Sequence, residues 1–180
     1  MRKLTVSILA LFFVALAVQA QEFNYIGVKK CTMCHKSEKQ GSQLPIWEAS
    51  KHAEAYKVLQ TEEADKIAAE MGYETPAVET DACLKCHATG YDLPEARLEK
   101  RFDVAQGVQC ETCHGPGSEY KSMKVMKDRE ASVEAGLVVW ADEAAIEALC
   151  VTCHNEESPT YKEFNFAESY EKIKHVIPTE

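Results

Sequence analysis

The sequence has no cysteine outside four short motifs, and only two of its six histidines lie outside them. No cysteine is therefore left over for an odd disulfide, and none stands near residue 20 to accept a lipid. Basic residues are too few and too scattered for a nucleic-acid surface: 20 Lys and Arg face 29 Asp and Glu, a net charge of −9. Strand signals are almost missing, with Leu137-Val138-Val139-Trp140 the one β-leaning run. The single long apolar run, Leu4 to Val18, is shorter than the roughly 20 residues a membrane helix needs. At 180 residues the chain is also too short for a large multidomain enzyme.

What is present is concentrated. Every cysteine falls in a C-x-x-C pair followed at once by histidine: Cys31/Cys34/His35, Cys83/Cys86/His87, Cys110/Cys113/His114 and Cys150/Cys153/His154. By composition alone such a chain would contain roughly 0.01 copies of the pattern. C-x-x-C-H is the attachment motif of c-type haem: two thioether bonds fix the porphyrin edge, and the histidine ligates iron from below. Zinc sites and redox dithiols also use C-x-x-C, but neither requires the adjacent histidine four times over. The sequence thus predicts four covalently bound haem c groups. Only about 40 residues are available per haem, too few to isolate each porphyrin, so the haems form much of the core and lie close together.

Four irons have eight axial positions, and the motif histidines His35, His87, His114 and His154 fill four. Only His52 and His175 remain, so they are the candidate distal ligands. Two irons then need another ligand or none, and Met71, Met123 and Met126 are the methionines left to serve.

Residues 1–20 read as a cleaved signal peptide, with Arg2 and Lys3 before the apolar run and Val18-Gln19-Ala20 at the cleavage site. Residues 21–180 then form one haem-carrying domain in the periplasm. The spacers between motifs, of 47, 22 and 35 residues, are too unequal for a tandem repeat. Helices are predicted from Pro45 to about Gln60, Glu62 to Met71, Ser118 to Ala135, Asp142 to Leu149 and Phe166 to Lys174. The expected fold is mainly α: a small multihaem cytochrome c with short helices and irregular loops wrapped around four closely packed haems. Residues 61–81 carry seven acids against one base, read as a solvated face or as a docking patch for a basic redox partner.

The string from Tyr25 onward resembles the tetrahaem cytochrome c-554 family. Trp47 to Ala55 is similar to its W-x-x-[ST]-x-H-A-x-A, Cys83 to Gly90 to its second motif, Gly107 to Gly117 to its third, and Cys150 to Pro159 to its fourth. The resemblance implies that His52 is the distal ligand opposite His154, and His175 the one opposite His114. It implies a five-coordinate second haem, on His87. The family's first haem takes a histidine from the stretch after G-P-G, where this chain has none. Met123 and Met126 occupy that stretch; Met126 is the expected ligand opposite His35, with Met123 the alternative.

These readings point to a periplasmic carrier that passes single electrons between redox partners rather than to an enzyme. The expected partners are multihaem oxidoreductases or quinol-oxidising membrane cytochromes, with membrane contact only through them. The alternatives are a small nitrogen-oxide reductase at an open haem and an electron-transfer subunit of a larger cytochrome complex. No acid–base constellation beside His87 favours the enzyme.

Overall fold

The computed structural model describes residues 22–176, so the expected signal peptide lies outside the described residues. Among the described residues ten short α-helices run in chain order: α1 (Val28–Cys31), α2 (Gln43–Glu48), α3 (Ala55–Val58), α4 (Glu62–Glu70), α5 (Asp81–His87), α6 (Cys110–His114), α7 (Met123–Met126), α8 (Arg129–Glu134), α9 (Glu143–Cys150) and α10 (Phe166–Glu171). The only β pairing among the described residues is an isolated parallel bridge between Tyr25 and Leu98. The protein is mainly helical, as expected, and Leu137 to Trp140 forms no strand. That run is tied instead through the Val138 amide to the His114 carbonyl at 2.9 Å.

Helix starts follow local capping chemistry. Thr61, Ser122, Asp128, Asp142 and Asn165 each accept a hydrogen bond from the amide three residues on, satisfying a donor that has no partner within the helix. Glu62, Glu63 and Asp65 add favourable charge to the first turn of α4. The caps also explain two departures from expectation. The stretch from Ser118 to Ala135 divides into α7 and α8 because Asp128 starts a new helix three residues after Val125. The stretch from Pro45 to Gln60 divides into α2 and α3, with turns between them where the Ser50 hydroxyl bonds the Trp47 carbonyl at 2.7 Å. The terminal helix ends at Glu171, three residues before the predicted Lys174, in a looser turn whose Lys174 amide bonds the Tyr170 carbonyl.

The apolar core is thin. Among the described residues seven hydrophobic side chains are fully buried: Ile26, Val28, Leu59, Ala68, Ala77, Ala88 and Tyr120. Leu59, Ala68 and Ala77 cluster where α4 meets the start of α5, with Val78, Cys83 and Leu84 against them. Three of the seven are alanines, and full burial of a large aliphatic side chain contributes only about 1.5–3 kcal/mol. So few buried side chains leave a chain of this length short of hydrophobic stabilisation, which apolar cofactors packed between the helices would supply.

Candidate haem site

Each motif forms one helical turn. In the first and fourth, the histidine amide bonds the carbonyl of the leading cysteine, His35 to Cys31 at 3.1 Å and His154 to Cys150 at 3.0 Å. The second and third motifs lie within α5 and α6. A helical turn places residues three and four apart on one face, so both sulfurs and the following imidazole share one side.

The motifs then associate in pairs. Cys31 lies beside Cys110, and Cys86 beside Cys153. The first pairing is keyed by a buried glutamate. Glu111 accepts bonds from the amides of Ile26 (2.9 Å), Gly27 (2.8 Å) and Gly117 (2.8 Å). Burial pushes its carboxyl above the usual range, while the three amides pull the other way. Gln109 accepts a further bond from the Val28 amide at 3.2 Å. The second pairing has an exposed Lys85–Glu157 ion pair. The glutamate's role was not foreseen; the signal available is that Glu111 is the one acid inside any of the four motifs.

Cys34 stands apart from the other attachment cysteines in its exposure. It is exposed, whereas the other seven cysteines are half-buried. The physical reason is the shortness of α1, which ends at Cys31: that cysteine turns inward to Cys110, while Cys34 falls in the turn beyond, beside Met33, itself 66% exposed. Cys153 occupies a similar turn in the fourth motif but meets Cys86 there, and among the described residues no hydrogen bond reaches the Cys34 sulfur. The Cys34 amide still bonds the Cys31 carbonyl at 3.2 Å, so the three-residue offset of the pair is kept.

His52 and His175, the two non-motif histidines, each meet a motif histidine. The His52 and His154 rings are 6.1 Å apart and tilted by 51°; the His114 and His175 rings are 5.8 Å apart and tilted by 50°. His52 sits in the turn between α2 and α3, its carbonyl accepting from the Val108 amide at 3.0 Å. Trp47 locks the same segment through its indole N–H to the Val108 carbonyl at 2.8 Å. Phe164 stacks on His154 at 4.6 Å and 11°, a restraint on the ring plane that sequence reasoning did not identify. His87 directs Nδ1 to the Ala55 carbonyl at 2.7 Å, which places the proton there and leaves Nε2 free. Met126 is half-buried, whereas Met123 is 67% exposed and Met71 40%.

Residues 30–115 match the family described as cytochrome c554 and c-prime, and residues 103–159 match the doubled C-x-x-C-H motif. Over residues 30–115 the chain resembles the cytochrome c-554 family. It is 26% identical over 153 residues to the cytochrome c-554 of Nitrosomonas europaea, an alignment that takes in 79% of this chain and spans 63% of that relative's length. No solved structure matches it.

The C-x-x-C-H motifs and these matches support covalently bound haem c. The geometry fits that cofactor. A metal–imidazole bond of about 2.0 Å, with the nitrogen about 1.1 Å from its ring centre, separates two imidazoles on one metal by about 6 Å, as in both pairs here. Desolvation, reinforced by a neighbouring histidine, lowers the pKa of His35, His52 and His154, and that of His114 to about 4. Near neutral pH these rings are uncharged and keep the lone pair that iron requires. A Cys₄ zinc site would need several thiols to converge, and among the described residues no three His, Cys, Asp or Glu side chains do so. Bound haem would supply reversible one-electron chemistry, with the cysteines available for attachment and the histidines for ligation. Among the described residues no helix is long and apolar enough to cross a membrane.

Proposed function

We propose that the chain is a periplasmic carrier of single electrons with four haems, one on each motif. His154 and His52 are the axial ligands of the fourth haem, and His114 and His175 those of the third. Met126 joins His35 on the first, and the iron on His87 is five-coordinate or weakly ligated. The observation that carries this reading is the pair of histidine separations near 6 Å, each joining a motif histidine to one remote in sequence. Bis-imidazole iron has no position for substrate, which favours electron transfer over catalysis at those two centres. Net negative charge supports redox partners that present basic surfaces, whether multihaem oxidoreductases or quinol-oxidising membrane cytochromes. Glu62, Glu63, Glu70, Glu74, Glu79 and Asp81 are exposed and available for such an encounter, while Asp65 is also engaged with the Ala77 amide.

Intact mass of the exported protein, followed by a reductive titration read by visible and electron paramagnetic resonance spectra, tests the proposal. The expected result is a chain beginning at Gln21 with four haems, two of them low-spin bis-histidine centres. The reduced protein should bind carbon monoxide at one haem and turn over nitrite or hydroxylamine slowly. Rapid steady-state reduction of either substrate would make the protein an enzyme instead.

A further inference from the structure

His175 is held differently from the other histidines. It follows α10 on chain whose last helical bonds run from the Ile173 and Lys174 amides to the Tyr170 carbonyl. His175 and Val176 are both exposed, and among the described residues neither donates a backbone hydrogen bond. A separate loop stands against them. Residues Glu38–Gln40 make a 3₁₀ turn directly after the first motif, closed by the Gly41 amide on the Glu38 carbonyl (2.9 Å) and the Ser42 amide on the Ser37 carbonyl (3.0 Å). The loop is fastened to the first motif where the Leu44 amide meets the His35 carbonyl at 2.9 Å. Gly41, at φ +95°, faces the tail: a Cβ there would lie 3.0 Å from the Val176 carbonyl carbon and closer still to its oxygen. A side chain at residue 41 would therefore collide with the residue next to His175.

We propose that Gly41 is a positioning residue for His175: its bare Cα lets the tail settle on the first-motif loop, and that seat sets the His175 ring 5.8 Å from His114. The loop of one haem motif thus governs the distal ligand of another. This rests on the reading of His175 as an axial ligand. Four variants of the full haem-loaded protein separate the two ideas. His175→Ala removes the ligand. Gly41→Ala and Gly41→Asn add the colliding Cβ, and asparagine tolerates positive φ well enough to keep the loop folded. Gly72→Ala is the control, because Gly72 has φ +89° but nothing within 4 Å of an added Cβ. Ferric electron paramagnetic resonance should show one haem turned high-spin in His175→Ala. At least half that conversion is expected in both Gly41 variants, reversed by free imidazole, with none in Gly72→Ala. If His175→Ala converts a haem while the Gly41 variants stay low-spin, or if Gly72→Ala converts one equally, the role of Gly41 is overturned. If His175→Ala itself leaves every low-spin signal intact, the ligand reading fails and the proposal with it.

Discussion

The two histidine pairs reach nearly the same separation by opposite means. In the His114–His175 pair the motif side is firm: Glu111 gathers three backbone amides, and the His114 carbonyl takes the Val138 amide (2.9 Å) and the Tyr120 hydroxyl (3.2 Å). Its remote member, His175, rides on an exposed tail. In the His52–His154 pair the motif side is lightly held, by local turns, the Phe164 stack and an ion pair at the surface. Its remote member is clamped, because His52 is fixed by Val108, Gly107 and Trp47. One rigid partner is enough to define a centre when the other can adjust to it. The arrangement also makes the two centres fail in different ways.

The largest effect should come from the firm side of the first pair. Glu111→Ala strands three buried amides at roughly 1–3 kcal/mol each, so denaturant titration should show a stability loss of at least about 3 kcal/mol. Glu111→Gln sharpens the point through pH. A carboxyl whose pKa rises on folding binds its proton more tightly in the folded state, so its contribution declines as pH climbs from the unfolded pKa through the folded one. The wild type should lose stability relative to Glu111→Gln across that window, and parallel curves would show that Glu111 does not titrate.

Gly107→Ala comes next. At φ +73° its Cβ would stand 2.6 Å from the His52 carbonyl oxygen. We expect a loss of about 2 kcal/mol, together with high-spin character at the haem on His154, read by thermal unfolding and electron paramagnetic resonance. The contrast with Gly41 is the informative part: the clamp at Gly107 should lower stability and ligation together, the seat at Gly41 mainly ligation. Equal destabilisation by both would erase that distinction. Trp47→Phe keeps an aromatic ring and loses one part-buried hydrogen bond, a cost of about 1 kcal/mol by denaturant titration. Smallest is Phe164→Leu, which removes the stack on His154. Stability should change by less than about 1 kcal/mol, while the g-values of one low-spin haem should move, because the His154 ring plane is no longer restrained.

Helices with strong caps were legible: α4 starts at Glu62 behind its Thr61 cap and ends before Gly72, and α9 starts at Glu143 behind its Asp142 cap, where propensity and capping agree. The breaks at Ser50 and Asp128 were not. The apolar stripe of Ile46, Ala49, Ala53, Tyr56 and Leu59 continues through the first break at helical spacing, and periodicity cannot register a turn imposed by the packing of His52 on Val108. The exposure of Cys34 was equally hidden, because all four motifs share one spacing and differ only in what packs against each turn. Glu111 and Gly41 were missed for a related reason. Each acts on backbone groups far along the chain, the amides of Ile26 and Gly27 for one and the Val176 carbonyl for the other, and no local pattern encodes such a meeting.

The sequence by itself determined the chemistry of attachment, since two cysteines and a histidine at offsets of three and four share one face of a single helical turn. It also determined which side chains remained to serve as further ligands, through nothing more than the scarcity of histidine. Composition and spacing left open which imidazoles meet; the tertiary structure brings together the two pairs that the resemblance implied. His52 and His154 are about a hundred residues apart and His114 and His175 about sixty. Loops of that length cost little more to close in one pairing than in another, so the choice falls to the non-local contacts of Gly107, Glu111 and Gly41, which exist only once the chain has folded.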